Sequence, residues 1–374
     1  MPKHFLDLAT PGVRGLKPYQ PGKPVAELER EYGVTDIVKL ASNKNPLGPS
    51  PRAVAAMREA LAGVALYPDA NGFELKARLA SRHGVEPACI TLGNGSNDVL
   101  VILAETFLEA GLSAVFSQYA FAVYPIATQA AGAASRIAPA LPVDRAGALG
   151  HDLDAMAARI DDTTRLVFVA NPNNPTGTWI GNAALEAFVA SVPEHALVVI
   201  DEAYAEYLAD PDYPDATKWL EKYPNLVVTR TFSKAFGLAG VRVGYAISHP
   251  EVADLLNRVR QPFNVGTLGQ VAALAALEDD DHLARSVRMN AEQRERLAAA
   301  CIDRGLGVTP SAGNFLLVDL ARPAAPVFEA LLRAGVIVRP VANYGLPDHL
   351  RISVGTPAET GRLIEALDTV LGAP

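Results

Sequence analysis

Apolar residues recur at helical spacing in three segments of the first third of the chain. Residues 51–63 and 73–84 carry this pattern, and each segment ends at a glycine, Gly63 and Gly84 respectively. Glycine commonly ends a helix because it adopts the left-handed conformation without strain. Residues 98–111 show the same spacing of apolar side chains. The pattern predicts three amphipathic helices.

Three later runs, residues 165–170, 196–201 and 225–230, are apolar with little alternation. Such runs are typical of strands in a parallel sheet, which are buried on both faces. Each run is followed within a few residues by a polar cluster: NPNNPTG, DEAY and TFSK. Ligands of parallel-sheet proteins bind beyond the carboxyl ends of the strands. The sequence therefore predicts an α/β fold with one site assembled from three loops.

The pattern changes towards both ends of the chain. From about residue 280, a long charged helix is followed by two strands, NFLLVDL and LRISVG, with a helix between them. That order predicts a smaller α+β domain. Residues 11–24 are dense in proline and glycine, which favours an extended N-terminal arm.

Composition narrows the class of protein. The chain has 374 residues, about 2.5 times the usual length of a single domain, which favours one large and one small domain. The formal net charge is −8, and an acidic surface argues against non-specific binding to nucleic acid. Two distant cysteines, Cys89 and Cys301, exclude a disulfide framework. No apolar run suits a signal peptide or a membrane span, so we expect a cytoplasmic protein with no membrane partner.

A glycine turn follows the short strand predicted in CITLGNG. The sequence GNGSND, residues 93–98, opens the third helix, where backbone N–H groups and the helix dipole can hold a phosphate. A dinucleotide-binding fingerprint would need glycine where Asp98 stands. The alternative is an ordinary strand-to-helix turn with Ser96 or Asn97 as the helix N-cap.

Lys234 is a candidate for covalent chemistry. It stands in TFSKAFGLAGVRVG, just past a predicted buried strand. Burial lowers the pKa of a lysine, which suits it to form a Schiff base and then act as a general base. The neighbouring Thr231, Ser233 and Arg242 offer hydroxyls and a guanidinium for a phosphate dianion. The alternative is a surface loop of ordinary polar residues.

Asp201 ends another apolar strand. A carboxylate in such a place needs a cationic partner, and a protonated pyridine nitrogen would serve. Tyr204, three residues later, can donate a hydrogen bond to a neighbouring oxygen. The alternatives for Asp201 are a helix N-cap or an ion pair with a local arginine. No metal site or serine hydrolase is expected, since the chain lacks HExxH, GxSxG and paired histidines at ligand spacing.

The combination of these features points to pyridoxal 5′-phosphate. That cofactor needs an amine for its aldehyde, an acid beside its ring nitrogen and a cup for its phosphate. Lys234, Asp201 and the glycine turn supply one of each. Each feature alone has an ordinary explanation, but together they match the cofactor.

These motifs resemble those of the fold-type I pyridoxal-phosphate-dependent aminotransferases, in the histidinol-phosphate branch. The segments NPNNPTG, DEAY and SKAFGLAGVRVGY, in that order and spacing, carry the resemblance to the superfamily. PYQPGKP and SNKNPLGP near the N-terminus narrow it to the branch. The resemblance implies a large cofactor domain over residues 45–275, with a mostly parallel sheet between helices. It also implies a small discontinuous domain from residues 1–44 and 276–374, and a homodimer with shared active sites.

The resemblance implies roles for individual residues. Lys234 would be the catalytic amine, and Asp201 would pair with the pyridinium nitrogen. The other cofactor-binding residues would be Asn174 and Tyr204 at the ring O3′, Phe121 stacked on the ring, and Ser96, Asn97, Thr231, Ser233, Arg242 and Tyr67 around the phosphate, with Tyr67 reaching across the dimer interface. The substrate would meet Tyr19, Asn43, Arg339 and Arg351, the last of which would take the α-carboxylate. Loop packing, a turn and a surface charge are the respective alternatives for Tyr19, Asn43 and Arg339.

The activity implied is ping-pong transamination of L-histidinol phosphate with 2-oxoglutarate, so the partners would be small molecules. Three departures from the branch concern the substrate side: Lys44 in place of a usual Glu, Phe121 in place of a commoner Tyr, and Gly266 in place of a frequent Asn. They leave an aromatic amino-acid aminotransferase as the alternative. Two other interpretations are less favoured: a non-catalytic cofactor-binding regulator, and a lyase or decarboxylase. Arg351 would bind the substrate carboxylate and keep it in the substrate, which argues against decarboxylation.

Overall fold

The structure is a computed structural model that describes residues 5–18 and 22–372. Within these ranges the strands are β1 (Val38–Lys39), β2 (Ile90–Gly93), β3 (Ser113–Ser117), β4 (Ala134–Ala138), β5 (Thr164–Ala170), β6 (Leu197–Asp201), β7 (Leu226–Thr231), β8 (Gly244–Ser248), β9 (Gly307–Thr309), β10 (Phe315–Asp319), β11 (Val336–Ile337), β12 (Arg339–Val341) and β13 (Leu346–Ser353). The α-helices are α1 (Phe5–Leu8), α2 (Pro11–Arg14), α3 (Val25–Tyr32), α4 (Pro51–Ala60), α5 (Phe73–His83), α6 (Ser96–Phe107), α7 (Val123–Ala130), α8 (Leu153–Ala157), α9 (Asn182–Ser191), α10 (Pro250–Val259), α11 (Thr267–Ala276), α12 (Asp280–Asp303), α13 (Ala324–Arg333) and α14 (Pro357–Leu371).

A seven-stranded sheet with the order β2-β8-β7-β6-β5-β3-β4 forms the centre of the molecule. The three predicted apolar runs are β5, β6 and β7, and they pair in parallel as neighbours. Their register places Ala170 opposite Asp201, and Asp201 opposite Thr229. The α/β fold predicted from the sequence is therefore confirmed, and three strand ends meet at one edge of the sheet. β8 runs antiparallel to both of its neighbours, and the pattern of the sequence did not identify this strand.

The rest of the chain builds two smaller sheets. Four antiparallel strands have the order β12-β13-β10-β9, and β1 pairs in parallel with β11. One hydrophobic cluster joins Leu40 to buried residues between Leu297 and Leu367, while three others contain buried residues between Ala53 and Leu277. We propose that these separate cores correspond to the small and large domains.

Only one of the three predicted amphipathic helices ends at its predicted glycine: α5 ends where Gly84 adopts a left-handed conformation with φ of 68°. α4 ends earlier, at Ala60, and is followed by a 3-10 turn at Leu61–Gly63. α6 ends at Phe107 and not at Gly111. The long charged helix is α12. In residues 5–18 and 22–372, no helix combines the length and the apolarity needed to cross a membrane.

The predicted extended arm is wrong at its start. Residues 11–14 form the short helix α2 and not an extended arm. Pro11 stands at the start of this helix, where its fixed φ suits the helix and its missing N–H costs nothing. The turn also gains a tertiary contact, because Gln129 Nε2 donates a 3.0 Å hydrogen bond to the carbonyl of Gly12.

Candidate active site

A cavity of about 560 Å³ is bordered by the residues that end β5, β6 and β7. Most of the predicted site residues line it together: Ser96, Asn97, Phe121, Asn174, Asp201, Tyr204, Thr231, Ser233, Lys234 and Arg242. Apolar residues complete the walls, namely Val101, Val123, Ile126, Ala170, Pro172 and Ala203. A concave, partly apolar cavity with a few convergent polar groups is the usual form of a small-molecule site.

The glycine turn forms one end of the cavity. α6 begins at Ser96, and the residue before it, Gly95, is the N-cap, so neither Ser96 nor Asn97 is the cap considered from the sequence. Asp98 Oδ2 accepts a 2.8 Å hydrogen bond from the backbone N–H of Asn94. The same oxygen accepts another of 2.8 Å from Asn264 Nδ2. Asp98 thereby stabilises the turn through two hydrogen bonds.

Arg242 closes this end. Its backbone is left-handed, with φ of 56°, and its Nη1 donates to Ser233 Oγ at 3.2 Å. A Cβ built on Gly95 would lie 2.3 Å from Arg242 Nη2, and one on Gly244 would lie 2.1 Å from the nitrogen of Ser96. Glycine is therefore required at both positions for the guanidinium and β8 to approach the N-terminus of α6. The resulting donor-rich cup suits a phosphate.

Asp201 lies deep in the cavity and is only 4% exposed. Its Oδ2 accepts a 2.8 Å hydrogen bond from Tyr124 Oη, and its Oδ1 accepts one of 3.2 Å from Thr229 Oγ1. Burial raises the pKa of Asp201, and these hydrogen bonds act in the opposite direction. The ion pair with a local arginine is made by the next residue, since Arg230 Nη2 lies 2.6 Å from Glu202 Oε2.

Lys234 is half-buried beside Tyr204. Its Nζ lies 5.5 Å from the centroid of the Tyr204 ring. The Tyr204 hydroxyl accepts a 3.0 Å hydrogen bond from Asn43 Nδ2, and burial raises the pKa of Tyr204. The amine and the hydroxyl therefore meet at the same part of the cavity as Asp201.

The substrate-side residues form a second layer. Arg351 is buried and donates to Asn174 Oδ1 at 2.6 Å and to the carbonyl of Ala41 at 2.9 Å. Arg339 is the register partner of Arg351 across β12 and β13. Asn43 has a left-handed backbone, with φ of 52°, and its side chain contacts the Tyr204 hydroxyl.

Other predicted residues lie elsewhere. Tyr67 is 83% exposed and stacks on Phe263, with ring centroids 4.7 Å apart, and it does not line this cavity. Tyr19 falls outside the described residues. Lys44 Nζ lies 3.7 Å from Glu359 Oε1 at the start of α14, while Gly266 is the N-cap of α11 and has open space beside it.

Two buried residues at the site were missed from the sequence. Tyr124 stands in FAVY, a motif used only for Phe121, so its hydroxyl could have been noticed. Asn314 donates to the carbonyl of Asn43 at 2.9 Å, and it begins the predicted strand NFLLVDL. Its role could not be found from the sequence, because it depends on where a segment 271 residues away lies.

The fold is that of a class I or II aminotransferase. The sequence profile of the family "Aminotransferase class I and II" matches residues 35–367. The chain is 61% identical over 364 residues to "Histidinol-phosphate aminotransferase 2" of Methylococcus capsulatus, with 97% of this chain and 98% of the relative covered. It is 58% identical over 369 residues to the protein of the same name from Pseudomonas aeruginosa, with 98% of each covered. The chain therefore belongs to the histidinol-phosphate aminotransferases within that class.

A solved structure agrees with this assignment. The histidinol-phosphate aminotransferase of Sinorhizobium meliloti in complex with pyridoxal-5′-phosphate superposes with a TM-score of 0.87. It is 32% identical in sequence, and the match covers 97% of both chains. The similarity therefore extends through the central sheet and both smaller sheets.

Proposed function

We propose that the protein is a pyridoxal-phosphate-dependent aminotransferase that interconverts L-histidinol phosphate and 2-oxoglutarate with imidazole acetol phosphate and L-glutamate. One observation carries the proposal: Lys234, Asp201 and Arg242 line a single cavity in a chain of this family. An amine, a buried carboxylate and a cationic phosphate cup are what this cofactor requires.

The residues present fit the cofactor. The cup at the N-terminus of α6, with Ser233 and Arg242, suits its phosphate, and the two glycines leave the room that this approach needs. Asp201 offers a buried carboxylate for the ring nitrogen, and Asn174 and Tyr204 offer polar groups for the ring oxygen. The flat side chain of Phe121 lines the same cavity and can stack on the ring.

Each residue then has a task. The bound cofactor supplies an aldehyde that reacts with amines and a ring that withdraws electrons. Lys234 Nζ holds that aldehyde, and when it is free it moves a proton at the reacting carbon. Asp201 keeps the ring nitrogen protonated by placing a negative charge beside it.

Arg351 and Arg339 are proposed to bind the anionic ends of the substrates. Their positions opposite each other on β12 and β13 bring two guanidinium groups to one face of the four-stranded sheet. Such local positive charge is needed because the net charge of the chain is −8. Arg351 has the planar fork that suits the carboxylate of 2-oxoglutarate or glutamate.

We also propose a homodimer in which Tyr67 contributes to the partner subunit's phosphate cup. Large apolar side chains are exposed around this residue in the chain: Leu61, Val64, Leu66 and Phe73. Clustered exposure of this kind is typical of an interaction surface. The cytoplasmic location and the lack of nucleic-acid or membrane partners stay predictions from the sequence.

A substrate competition tests the activity. Purified protein with pyridoxal phosphate should form glutamate from 2-oxoglutarate, with a higher kcat/KM for histidinol phosphate than for phenylalanine. A preference for phenylalanine would overturn the proposed substrate and favour the aromatic alternative. Lys234→Ala should lose both the turnover and the covalent attachment of the cofactor that borohydride fixes in the wild type. Lys222→Ala, which removes an exposed lysine paired with Glu186, is the control and should retain both.

A further inference from the structure

Tyr124 is held rigidly behind the candidate site. It is the second residue of α7 and is only 1% exposed. Its ring stacks on Phe168, with centroids 4.6 Å apart and planes 7° apart. The rings of Phe121 and Phe116 lie 5.9 Å and 6.3 Å away at steep angles. Three aromatic neighbours therefore fix the direction in which the hydroxyl points.

That direction is towards Asp201. The Tyr124 hydroxyl lies 2.8 Å from Oδ2, while Thr229 donates to Oδ1. Burial raises the pKa of Tyr124 well above its usual value, so the phenol stays protonated and is the donor. Each carboxylate oxygen thus has one side-chain donor, and the carboxylate has a defined orientation.

The hydrogen bond offsets an unfavourable environment. A buried carboxylate without donors favours its protonated form, which cannot support a cationic ring nitrogen. Hydrogen bonds to the charged form favour that form. Tyr124 also touches Phe121, which lines the cavity where the cofactor ring is expected. One side chain therefore supports two of the proposed cofactor contacts.

We propose that Tyr124 is a positioning residue that keeps Asp201 ionised and oriented for the ring nitrogen of the cofactor. This inference rests on the proposed function and adds a residue to its site. The hydroxyl acts through Asp201, and the ring acts through Phe121. If Tyr124 had only a structural role, its ring would be sufficient and its hydroxyl would be dispensable. A variant that keeps the ring and lacks the hydroxyl therefore distinguishes the two roles.

Tyr124→Phe keeps the ring and removes the hydroxyl. We expect pyridoxal phosphate to bind apoprotein about tenfold more weakly, as is usual when a charged group loses a hydrogen bond. The visible band of the bound cofactor changes with pH as the nitrogen that joins Lys234 to the cofactor loses its proton, and the midpoint of this change should move to higher pH. When the ring nitrogen carries less positive charge, it repels a positive charge on the Lys234 nitrogen less strongly. The kcat should fall, with little change in the KM for 2-oxoglutarate.

Two further variants complete the test. Thr229→Val removes the other side-chain donor to Asp201 and should shift the midpoint in the same direction, which keeps the proposal testable if Tyr124→Phe folds poorly. Tyr245→Phe is the matched control: Tyr245 is buried on β8 and its hydroxyl lies 2.9 Å from His83 Nε2. It should leave the cofactor affinity and the midpoint unchanged.

Two results would overturn the proposal. If folded Tyr124→Phe has the wild-type cofactor affinity and the wild-type pH midpoint, Tyr124 contributes packing alone. If Thr229→Val has the wild-type pH midpoint, the side-chain donors do not control the ionisation of Asp201. A wild-type protein that binds no pyridoxal phosphate would instead overturn the proposed function, and with it this inference. The two failures are therefore distinguishable.

Discussion

The guanidinium of Arg351 donates a 2.6 Å hydrogen bond to the amide oxygen of Asn174, which lies 177 residues earlier in the chain. Arg351 belongs to β13 of the four-stranded sheet, and Asn174 belongs to the loop after β5 of the central sheet. The contact joins the residue proposed for the substrate anion to one proposed for the cofactor ring. Substrate and cofactor would therefore be held in a fixed relation to each other.

Arg351→Lys should separate charge from geometry. Lysine retains the positive charge but lacks the planar fork that can contact Asn174 and a carboxylate together. We expect the KM for 2-oxoglutarate to rise at least about tenfold, measured by steady-state kinetics. Arg333→Lys on the exposed face of α13, where Arg333 pairs with Glu329, is the control. An unchanged KM would argue against substrate binding by Arg351.

Gly95→Ala should weaken cofactor binding more than it affects folding. The added Cβ would meet Arg242 Nη2 at 2.3 Å, and the guanidinium would have to leave the cup. Gly111→Ala is the control, because Gly111 also has a positive φ, 93°, but no atom within 4 Å of an added Cβ. Both variants should lose about 1–3 kcal/mol of unfolding free energy. Only Gly95→Ala should also raise the Kd for pyridoxal phosphate, measured on apoprotein.

The proposed shared site can be tested by complementation. Tyr67→Ala and Lys234→Ala should each have low activity, because each damages both sites of its own dimer. Mixed after dissociation, the variants should form heterodimers that contain one site with both wild-type residues. Activity should then recover towards about half of the wild-type value per intact heterodimer, since one of its two sites is complete. No recovery, despite subunit exchange seen by native mass spectrometry, would contradict the role of Tyr67.

His151 should make stability depend on pH. It is 7% exposed, its Nε2 lies 2.9 Å from the carbonyl oxygen of Ala170, and burial lowers its pKa to about 4. Between about pH 6.5 and pH 4 the unfolded chain binds a proton that the folded chain does not. This contribution to stability is therefore complete above pH 6.5 and is lost as the pH falls towards 4, by up to about 3 kcal/mol.

His151→Gln retains an N–H donor but does not titrate, so the urea unfolding free energy should fall less steeply between pH 7 and pH 5 in this variant. His195→Gln is the control, because exposed His195 has its Nε2 3.1 Å from a backbone carbonyl oxygen, that of Asp161. Equal slopes for His151→Gln and the wild type would refute the prediction. Burial also lowers the pKa of His83 to about 4. His83 therefore contributes equally to the pH dependence of the unfolding free energy in the wild type and in His151→Gln.

The sequence by itself determined strands β5, β6 and β7 and the polar residues that line the cavity. Continuous apolar runs require burial on both faces, and polar residues directly after three such strands must meet at one edge of a parallel sheet. The positions of Lys234, Asp201 and Asn174 are therefore local consequences of the order of residues along the chain. The same local physics predicted α4 and α5, and the end of α5 depends on the left-handed Gly84.

Only the tertiary structure decided which distant residues meet. The contacts of Tyr124 with Asp201 and of Lys44 with Glu359 span 77 and 315 residues, and no local pattern encodes such distances. α2 is helical where proline and glycine suggested an extended arm, since it packs against α7. Packing selects among many chain arrangements that have the same local preferences, so the partners of Arg351 and Tyr124 follow from the fold as a whole.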